Sequence, residues 1–324
     1  MKFPPLHLGL IPDHLLDEYG HVPVLKDELL HNMHEVLKWT LALRKSGVEK
    51  GRVVVSLLPA DLQWIIIDTA LMRCGAIHVP FHAPHDISLA TEYFRNFLFV
   101  ANDAFRNDPA LHGLNVLYTS TLYSAVEGVN PALIQGTAEA DVKPGDIATV
   151  VFSCDNDSVV KPFAITHENL VVTGHHSRSV LTLNPGEIYL SLLPFSKVYG
   201  RSSLLCHILH GCSIHCADHI QLPSRLIKTS KASSVAIVPS LLQYPVKVDK
   251  DLSPWINGRS LITIDELPPE ALQAVFGQNL KVLICGGSMI PHSLIEKFSL
   301  RNVPLMEGYG LTQTTGVFTV NTPS

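Results

Sequence analysis

Cysteine and histidine side chains that could bind a soft metal ion are concentrated in one short stretch. Seven of them fall within the fourteen positions 206–219. Thiolate and imidazole are the usual ligands of structural zinc, so this composition alone suggests a zinc site. The spacing argues against it, because Cys206 and His210 share one face of a predicted helix whereas Cys212 and Cys216 share one face of a predicted strand. We favour packing of these side chains over zinc binding.

A second pattern places His82 four residues before Asp86. Some acyltransferases use His-x-x-x-Asp with the histidine as general base. The glycine that often follows is Ile87 here, and the segment fits a loop leading into a helix, which we favour. No Gly-x-Ser-x-Gly elbow, Walker phosphate loop or Gly-x-Gly-x-x-Gly fingerprint occurs, which disfavours hydrolase, P-loop NTPase and dinucleotide functions.

Unusually polar segments follow several predicted strands. In open α/β sheets ligands bind at the carboxyl ends of the strands. We therefore expect five segments to converge on one ligand crevice: Ser153–Lys161, Pro194–Arg201, Pro239, Gly286–Ser288 and Glu307–Gln313.

Strand and helix patterns alternate along the chain that must position these segments. Helices are predicted over 25–41 and 61–74, from about 168, and through 210, by apolar spacing and by glycines after their last turns. The predicted strands are Val53–Leu58, Ala76–Phe81, Ile147–Ser153, Tyr189–Leu193, Ser213–Cys216, Val235–Val238, Leu261–Ile264, Leu280–Cys285 and Val303–Met306. The alternation predicts an α/β fold with a largely parallel, helix-covered sheet.

Glycine and proline collect over 125–146 without strong periodicity, which indicates a domain boundary. We expect one α/β subdomain over 1–135 and a second over 136–324.

The composition excludes several classes of protein. The chain has 324 residues, 46% of them apolar, and a net charge of -5 without a long basic run, so we expect a folded protein that binds no nucleic acid. The most apolar window, 53–72, contains Pro59, Asp61 and Asp68, so we expect no membrane span. The N-terminus lacks a signal-peptide pattern, and six dispersed cysteines fit reduced thiols, so we expect a cytoplasmic protein.

Two glycine-containing motifs carry a family resemblance. Cys285-Gly-Gly-Ser-Met-Ile-Pro291 precedes Glu307-Gly-Tyr-Gly-Leu-Thr-Gln313 by about twenty residues. Three earlier segments, 151–170, 190–201 and 235–239, also occur in the order typical of the family. Together they resemble adenylate-forming enzymes, especially long-chain acyl-CoA synthetases. The resemblance implies the N-terminal part of that fold: two mostly parallel, helix-covered sheets, with the mobile C-terminal lid domain absent from the sequence.

In that family a carboxylate attacks the α-phosphate of ATP to give acyl-AMP, and coenzyme A then takes the acyl group. The resemblance implies that Tyr309 stacks on adenine and Thr312 contacts the α-phosphate. It assigns nucleotide binding to Ser153, Gly286, Gly287, Ser288, Gly308, Tyr309 and Gly310. It assigns catalytic contacts to Lys161, Thr312 and Gln313, and an acyl pocket to Lys197, Tyr199 and Pro239.

The chain departs from the family at the phosphate loop and the metal position. Residues 153–162 contain no glycine, and Asp155 and Asp157 bring negative charge where a triphosphate would lie. Gln313 stands in place of a Mg²⁺-binding glutamate, and Lys197 in place of a histidine. We expect ATP and Mg²⁺ binding to be weakened and no dedicated metal site.

Three functions remain open. The leading hypothesis is a truncated, degenerate acyl-CoA-synthetase-like domain that binds a hydrophobic carboxylic acid, an acyl or adenylate ligand, or a protein partner without complete ligase activity. The second is an ATP-dependent acid-activating ligase whose lid is supplied by another chain. The third is a scaffolding subunit, because low charge content favours burial of a surface in a homo- or hetero-oligomer.

Overall fold

The computed structural model describes residues 4, 7–20, 23–130, 140–154, 159–217, 223–243, 246–247, 252, 254, 260–300 and 305–321. The chain divides into two compact units. Unit 1 comprises residues 1–175 and 194–198, and unit 2 comprises residues 176–193 and 199–324.

Unit 1 alternates helices and strands, with the predicted elements in order and further ones between them. Its elements are α1 (Ile11–Tyr19), α2 (Pro23–Lys45), β1 (Val53–Leu57), α3 (Leu62–Cys74), β2 (Ile77–Phe81), α4 (Ile87–Tyr93), β3 (Leu98–Ala101), β4 (Val116–Tyr118), α5 (Thr119–Ser124), β5 (Ile147–Cys154) and β6 (Val160–Thr166), followed by α6 (His167–Ser177). Helix α3 shows how residues at both ends of an element mark its limits in the sequence. The Asp61 side chain caps its first turn by accepting from the Trp64 amide at 3.0 Å, and Gly75 ends it in the left-handed conformation, at φ 71°.

The six strands of unit 1 form one sheet in the order β4-β3-β1-β2-β5-β6. All neighbours pair in parallel except β5 and β6, which form an antiparallel pair at the edge. The central strands are rich in β-branched residues, and Val54 and Val55 are fully buried. Burial on both faces explains why these strands read as continuous apolar runs.

Unit 2 repeats the architecture. Its elements are β7 (Ile188–Ser191), α7 (Val198–Leu209), β8 (Ser213–Cys216), α8 (Pro223–Ser230), β9 (Ser234–Ile237), α9 (Pro239–Leu242), β10 (Val246–Lys247), β11 (Leu261–Ile262), α10 (Leu272–Phe276), β12 (Val282–Gly286), α11 (His292–Ser299), β13 (Leu305–Leu311) and β14 (Gly316–Val320). Six strands form a sheet in the order β14-β13-β12-β9-β7-β8, which is parallel except for the β13-β14 hairpin. Strands β10 and β11 form a separate antiparallel pair. The prediction of two mostly parallel, helix-covered sheets is confirmed.

The division of the packing differs from the predicted boundary at 135/136. Strands β5 and β6 belong to the first sheet, because Thr149 of β5 lies beside His78 of β2 and its hydroxyl donates to the His78 carbonyl at 2.7 Å. Residues 78 and 149 are 71 positions apart in the chain, so local periodicity gives no signal of this contact. Unit 1 therefore extends to residue 175.

The second glycine motif lies inside a strand and not after one. The predicted strand Val303–Met306 is observed as Leu305–Leu311, so Glu307 to Leu311 are themselves part of β13. The cause is the antiparallel partner β14, which supplies a hydrogen-bonding neighbour for these residues. Residues 301–304 lie outside the described part of the chain.

No helix in the described part of the chain combines the length and the apolar character that crossing a bilayer requires. All six cysteines are among the described residues, and each is a free thiol.

Candidate functional site

A cavity of about 150 Å³ opens in unit 1 beside the end of its sheet. It is formed by the end of β2, the start of α4, the paired ends of β5 and β6, and the segment 194–198. The residues that line it are Pro80, Phe81, His82, Asp86, Leu89, Phe152, Ser153, Cys154, Val160, Ser196 and Lys197. The carboxyl ends of two neighbouring strands thus border one cavity, as the rule for open α/β sheets predicts.

Aromatic rings make one wall of this cavity. The rings of Phe81 and Phe152 are stacked at 5.4 Å with an angle of 27° between their planes. Tyr93 and Phe94 pack edge-on against Phe152 from α4 and the residue that follows it. Mutually packed rings are held in fixed positions, so this wall is preformed and apolar.

The polar side chains of His82, Asp86, Ser153, Ser196 and Lys197 line another part of the cavity. The Lys197 ammonium donates to the Phe152 carbonyl at 3.4 Å, which holds its charge beside the aromatic wall. The Ser196 hydroxyl lies 3.1 Å from Nδ1 of His82. A cation and a hydroxyl-imidazole pair beside an apolar wall suit a ligand with a hydrophobic body and an anionic or carbonyl head.

The predicted phosphate-binding segment meets this cavity only at its ends. Strands β5 and β6 pair as far as Cys154 and Val160, both of which line the cavity together with Ser153. Lys161, which pairs with Ser153 in the ladder, is exposed and is not among the lining residues. Asp155 to Ser158, on which the prediction of weakened ATP binding depends, lie outside the described residues.

The two glycine motifs meet in unit 2, where β12 and β13 pair. Gly286 lies beside Gly308, and Gly287 turns the chain with φ +88°. Ser288, which follows, is exposed. The predicted nucleotide-binding residues therefore fall into two groups: Ser153 lies in unit 1, and the six others lie in unit 2.

Strand packing alone requires one of these glycines, Gly310, and leaves little room for a side chain at two others. A Cβ on Gly286 would lie 3.0 Å from the Gly308 carbonyl oxygen, and one on Gly308 would lie 3.2 Å from a Val317 methyl group. A Cβ on Gly310 would lie 1.9 Å from the Gly316 carbonyl oxygen. The motif is thus compatible with a nucleotide site, but the contacts of the β12-β13-β14 ladder already explain its glycines.

Tyr309 presents an open aromatic surface on the same ladder. Its side chain is 59% exposed, and its ring meets the exposed ring of Phe318 edge-on at 5.2 Å. An exposed ring braced by a second ring is a suitable platform for a planar base.

The turn after β13 carries Thr312 and Gln313. Thr314 holds this turn, because its hydroxyl accepts from the Leu311 amide and donates to the Gly316 carbonyl, both at 2.9 Å. Gln313 is exposed, and Thr312 is half-buried. Thr312, predicted to contact the α-phosphate, and Gln313, at the predicted metal position, thus lie in the turn that follows the strand of Tyr309.

A family-type Mg²⁺ site does not fit the residues present. Gln313 contributes only a neutral amide at the predicted metal position. The described ranges contain no group of three His, Cys, Asp or Glu side chains able to hold a metal ion. Mg²⁺ is usually held by one or two carboxylates with phosphate oxygens, and no carboxylate is offered at residue 313.

The predicted acyl-pocket residues are divided between the two units. Lys197 borders the cavity of unit 1. In unit 2 the Tyr199 hydroxyl donates to the Ile284 carbonyl at 3.1 Å, and burial raises the pKa of this phenol well above its ordinary value. Pro239 is buried at the first turn of α9. Tyr199 and Pro239 therefore both contribute to the packing of unit 2, and their role in an acyl pocket stays a prediction.

The cysteines and histidines of 206–216 serve packing and hydrogen bonding as well. His207 is fully buried, stacks on Tyr189 at 3.7 Å, and is bonded through Nδ1 to the Ser203 carbonyl and through Nε2 to the Ser234 hydroxyl, both at 2.7 Å. Burial raises the pKa of Cys212 to about 12, which keeps its thiol protonated. His219 lies outside the described residues.

Two histidines make side-chain contacts that the sequence did not predict. His82 meets Ser196 across 114 positions of the chain. His78 meets the Ser56 hydroxyl at 2.7 Å and the Asp68 carboxylate at 2.5 Å. The second arrangement resembles a Ser-His-Asp triad, but Ser56 and His78 are fully buried and neither lines the cavity, so it fastens β1, β2 and α3 together. Neither pair has a local sequence signal.

Comparisons of the sequence and of the fold with known proteins agree with one another. A family model described as AMP-binding enzyme matches residues 34–324. The chain is 24% identical over 289 residues to 4-coumarate--CoA ligase 3 of Oryza sativa subsp. japonica, covering 84% of this chain and 48% of the rice protein. It is 23% identical to 2-succinylbenzoate--CoA ligase of Geobacillus sp. (strain WCH70), covering 87% of this chain and 53% of that protein. The chain therefore spans about half the length of these curated relatives.

Solved structures show the same fold. The inhibitor-bound N-terminal domain of FACL13 from Mycobacterium tuberculosis superposes with a TM-score of 0.71 at 16% identity, covering 90% of this chain and 71% of that one. The Klebsiella oxytoca NpsA N-terminal subdomain in complex with 3-hydroxybenzoyl-AMSN gives 0.70 at 15% identity, covering 90% and 68%. The resemblance to adenylate-forming enzymes is confirmed. Because the family model covers most of the sequence, this chain belongs to the AMP-binding enzyme family.

Proposed function

We propose that this chain binds a small aromatic carboxylic acid in the cavity of unit 1 and a nucleotide base on Tyr309, without completing acid ligation by itself. One observation carries the proposal: Lys197, whose ammonium donates to the Phe152 carbonyl, lines the same cavity of about 150 Å³ as the stacked residues Phe81 and Phe152. Apolar cavities of roughly 150 Å³ admit a benzene ring. An ammonium group at such a wall pairs with the carboxylate of a ring-bearing acid.

The names of the similar proteins support the aromatic class. They include ligases of 4-coumarate and of 2-succinylbenzoate, and a structure that holds a 3-hydroxybenzoyl analogue. We transfer only the class of acid to this chain, because the cavity suits a ring and an anionic group.

The loss of ligation is inferred from the phosphate and metal positions. Residues 153–162 contain no glycine and carry Asp155 and Asp157. Two unit charges about 5 Å apart repel by roughly 3 kcal/mol at an effective dielectric constant near 20, which opposes triphosphate binding. Gln313 adds no charge that would hold Mg²⁺.

Calorimetric titration with benzoate and with neutral benzyl alcohol tests the carboxylate site. We expect Lys197→Met to weaken benzoate binding by about tenfold and to leave benzyl alcohol binding unchanged, because methionine keeps the apolar stem and removes the charge. Lys161→Met is the matched control, since Lys161 lies outside the cavity lining. Equal benzoate affinity for the Lys197→Met and unsubstituted proteins would refute the proposed carboxylate site.

Pyrophosphate exchange with Mg-ATP and a panel of aromatic and fatty acids tests the second half of the proposal. We expect AMP to bind and exchange to stay at background. Exchange above background with any acid would establish a complete adenylation reaction and overturn the non-ligating assignment.

A further inference from the structure

The cavity of unit 1 holds a serine and a histidine in the geometry of a nucleophile and its base. The Ser196 hydroxyl lies 3.1 Å from Nδ1 of His82, and both residues line the cavity. Ser196 is only 5% exposed, whereas His82 is exposed. The hydroxyl thus meets the imidazole of a residue that shares its cavity, and His82 has access to solvent for proton exchange.

Packing holds Ser196 in place. The preceding residue, Phe195, is fully buried, and its ring packs against Trp64 at 5.1 Å. The Lys197 amide donates to the Pro194 carbonyl at 3.2 Å, which closes a turn around Ser196. A side chain on an anchored turn loses little further freedom on reaching an attacking position.

The neighbouring groups complete the chemistry of acyl transfer. With its proton on Nε2, His82 accepts the serine proton at Nδ1, which raises the nucleophilicity of the hydroxyl. The Lys197 ammonium lines the same cavity and provides positive charge for an oxyanion formed there. The aromatic wall accommodates the ring of an acyl group.

We propose that Ser196 is a nucleophile and His82 its general base toward esters or thioesters of small aromatic acids. Ser196 Oγ bonds to the acyl carbon as its proton passes to His82, and the bond to the leaving alcohol or thiol breaks as His82 returns that proton to it. Water then attacks the acyl-serine with His82 again as base, which releases the acid and restores Ser196. The step goes beyond the binding function proposed above, since it needs the cavity but neither nucleotide nor a carboxylate ligand.

The buried Ser56-His78 pair does not compete for this role. Ser56 and His78 are fully buried and absent from the cavity lining, so a substrate carbonyl has no route to them.

Labelling with an alkyl fluorophosphonate followed by peptide mass spectrometry tests the nucleophile, and hydrolysis of 4-nitrophenyl benzoate tests the reaction. We expect the label on Ser196, and hydrolysis slowed by at least about a hundredfold in Ser196→Ala and in His82→Gln. Ser88→Ala and His85→Gln are matched controls in the same unit, because both side chains are exposed and lie outside the cavity lining. Both controls should retain labelling and rate.

Two further measurements distinguish loss of the proposed chemistry from loss of folding. Benzoate calorimetry and circular dichroism show whether each variant keeps the cavity, so that loss of hydrolysis is assigned to chemistry. Absence of label on Ser196 in the folded protein, an unchanged rate in Ser196→Ala, or benzoyl transfer to the exposed Cys154 would overturn the proposal. Benzoate binding without hydrolysis would leave the proposed function standing and refute this one alone.

Discussion

Gly310 and Gly316 approach so closely across the β13-β14 hairpin that a Cβ on residue 310 would lie 1.9 Å from the Gly316 carbonyl oxygen. This contact fixes the identity of residue 310 independently of any ligand. It also sets where the hairpin carries Tyr309, whose ladder partner is Thr319, directly before the irregularity in the strand.

Gly310→Ala is expected to destabilise the hairpin, because the new methyl group meets backbone that cannot move aside without breaking the ladder. We expect a loss of about 1–3 kcal/mol in the free energy of unfolding. Urea denaturation measures the loss, and hydrogen exchange of the peptide 305–321 should show faster exchange. Gly128→Ala is the control, since a Cβ there meets nothing within 4 Å. Equal stability of the two variants would contradict the packing explanation of the motif.

Tyr309→Ala is expected to weaken AMP binding, because the exposed ring braced by Phe318 is the proposed stacking surface. Loss of one base stack costs about 1–3 kcal/mol, so we expect affinity to fall by about 5- to 150-fold. Tyr309→Phe should retain most of the affinity, since it keeps the ring. Leu300→Ala, which truncates another exposed apolar side chain of unit 2, is the control. Calorimetric titration with AMP measures the affinity of Tyr309→Ala, Tyr309→Phe and Leu300→Ala. An unchanged affinity in Tyr309→Ala would show that the base does not stack on this ring.

His78→Ala is expected to destabilise unit 1 strongly. The imidazole bridges Ser56 and Asp68 in the interior, and its removal leaves a buried hydroxyl and a carboxylate without this partner. We expect a loss of about 3–5 kcal/mol, against about 1 kcal/mol for Ser56→Ala, which deletes one hydrogen bond. Ser88→Ala on the surface should change the free energy of unfolding by less than about 0.5 kcal/mol. A loss no larger for His78→Ala than for Ser88→Ala would show that the network does not fasten the sheet.

Acid is expected to destabilise the chain through His207. Burial lowers the pKa of this imidazole to about 3 from 6.5. Its contribution to stability is therefore complete above about pH 6.5 and is lost as the pH falls toward 3, because the unfolded chain binds the proton more readily than the folded chain. The slope reaches at most about 1.4 kcal/mol per pH unit.

Urea denaturation at about pH 7.5 and about pH 5 measures this slope. We expect His207→Phe, which keeps a ring to stack on Tyr189, to show a smaller difference between the two pH values even if its stability is lower at both. His215→Gln changes an exposed histidine of the same unit and should keep the slope of the unsubstituted protein. An unaltered slope in His207→Phe would assign the acid sensitivity to other groups.

The sequence by itself determined the α/β class, the family and the alternation of the predicted helices and strands, whereas β3, β4, β6 and β14 were not predicted. These features are local or pairwise in the chain: apolar runs mark buried strands, Asp61 and Gly75 mark the ends of a helix, and the two glycine motifs follow one another at a recognisable distance. Each run, cap or motif consists of residues that are close together in the chain, so the sequence alone reveals it.

Only the tertiary structure decided which of those residues share a site. It divided the predicted acyl-pocket residues between the two units, extended unit 1 past the predicted boundary through the contact of Thr149 with His78, and showed that Gly310 is required by Gly316. It also brought His82 to Ser196 across 114 positions. Contacts of that kind depend on how the strands are ordered in the sheet, and the free energy that forms them comes from packing between distant segments, which no local pattern records.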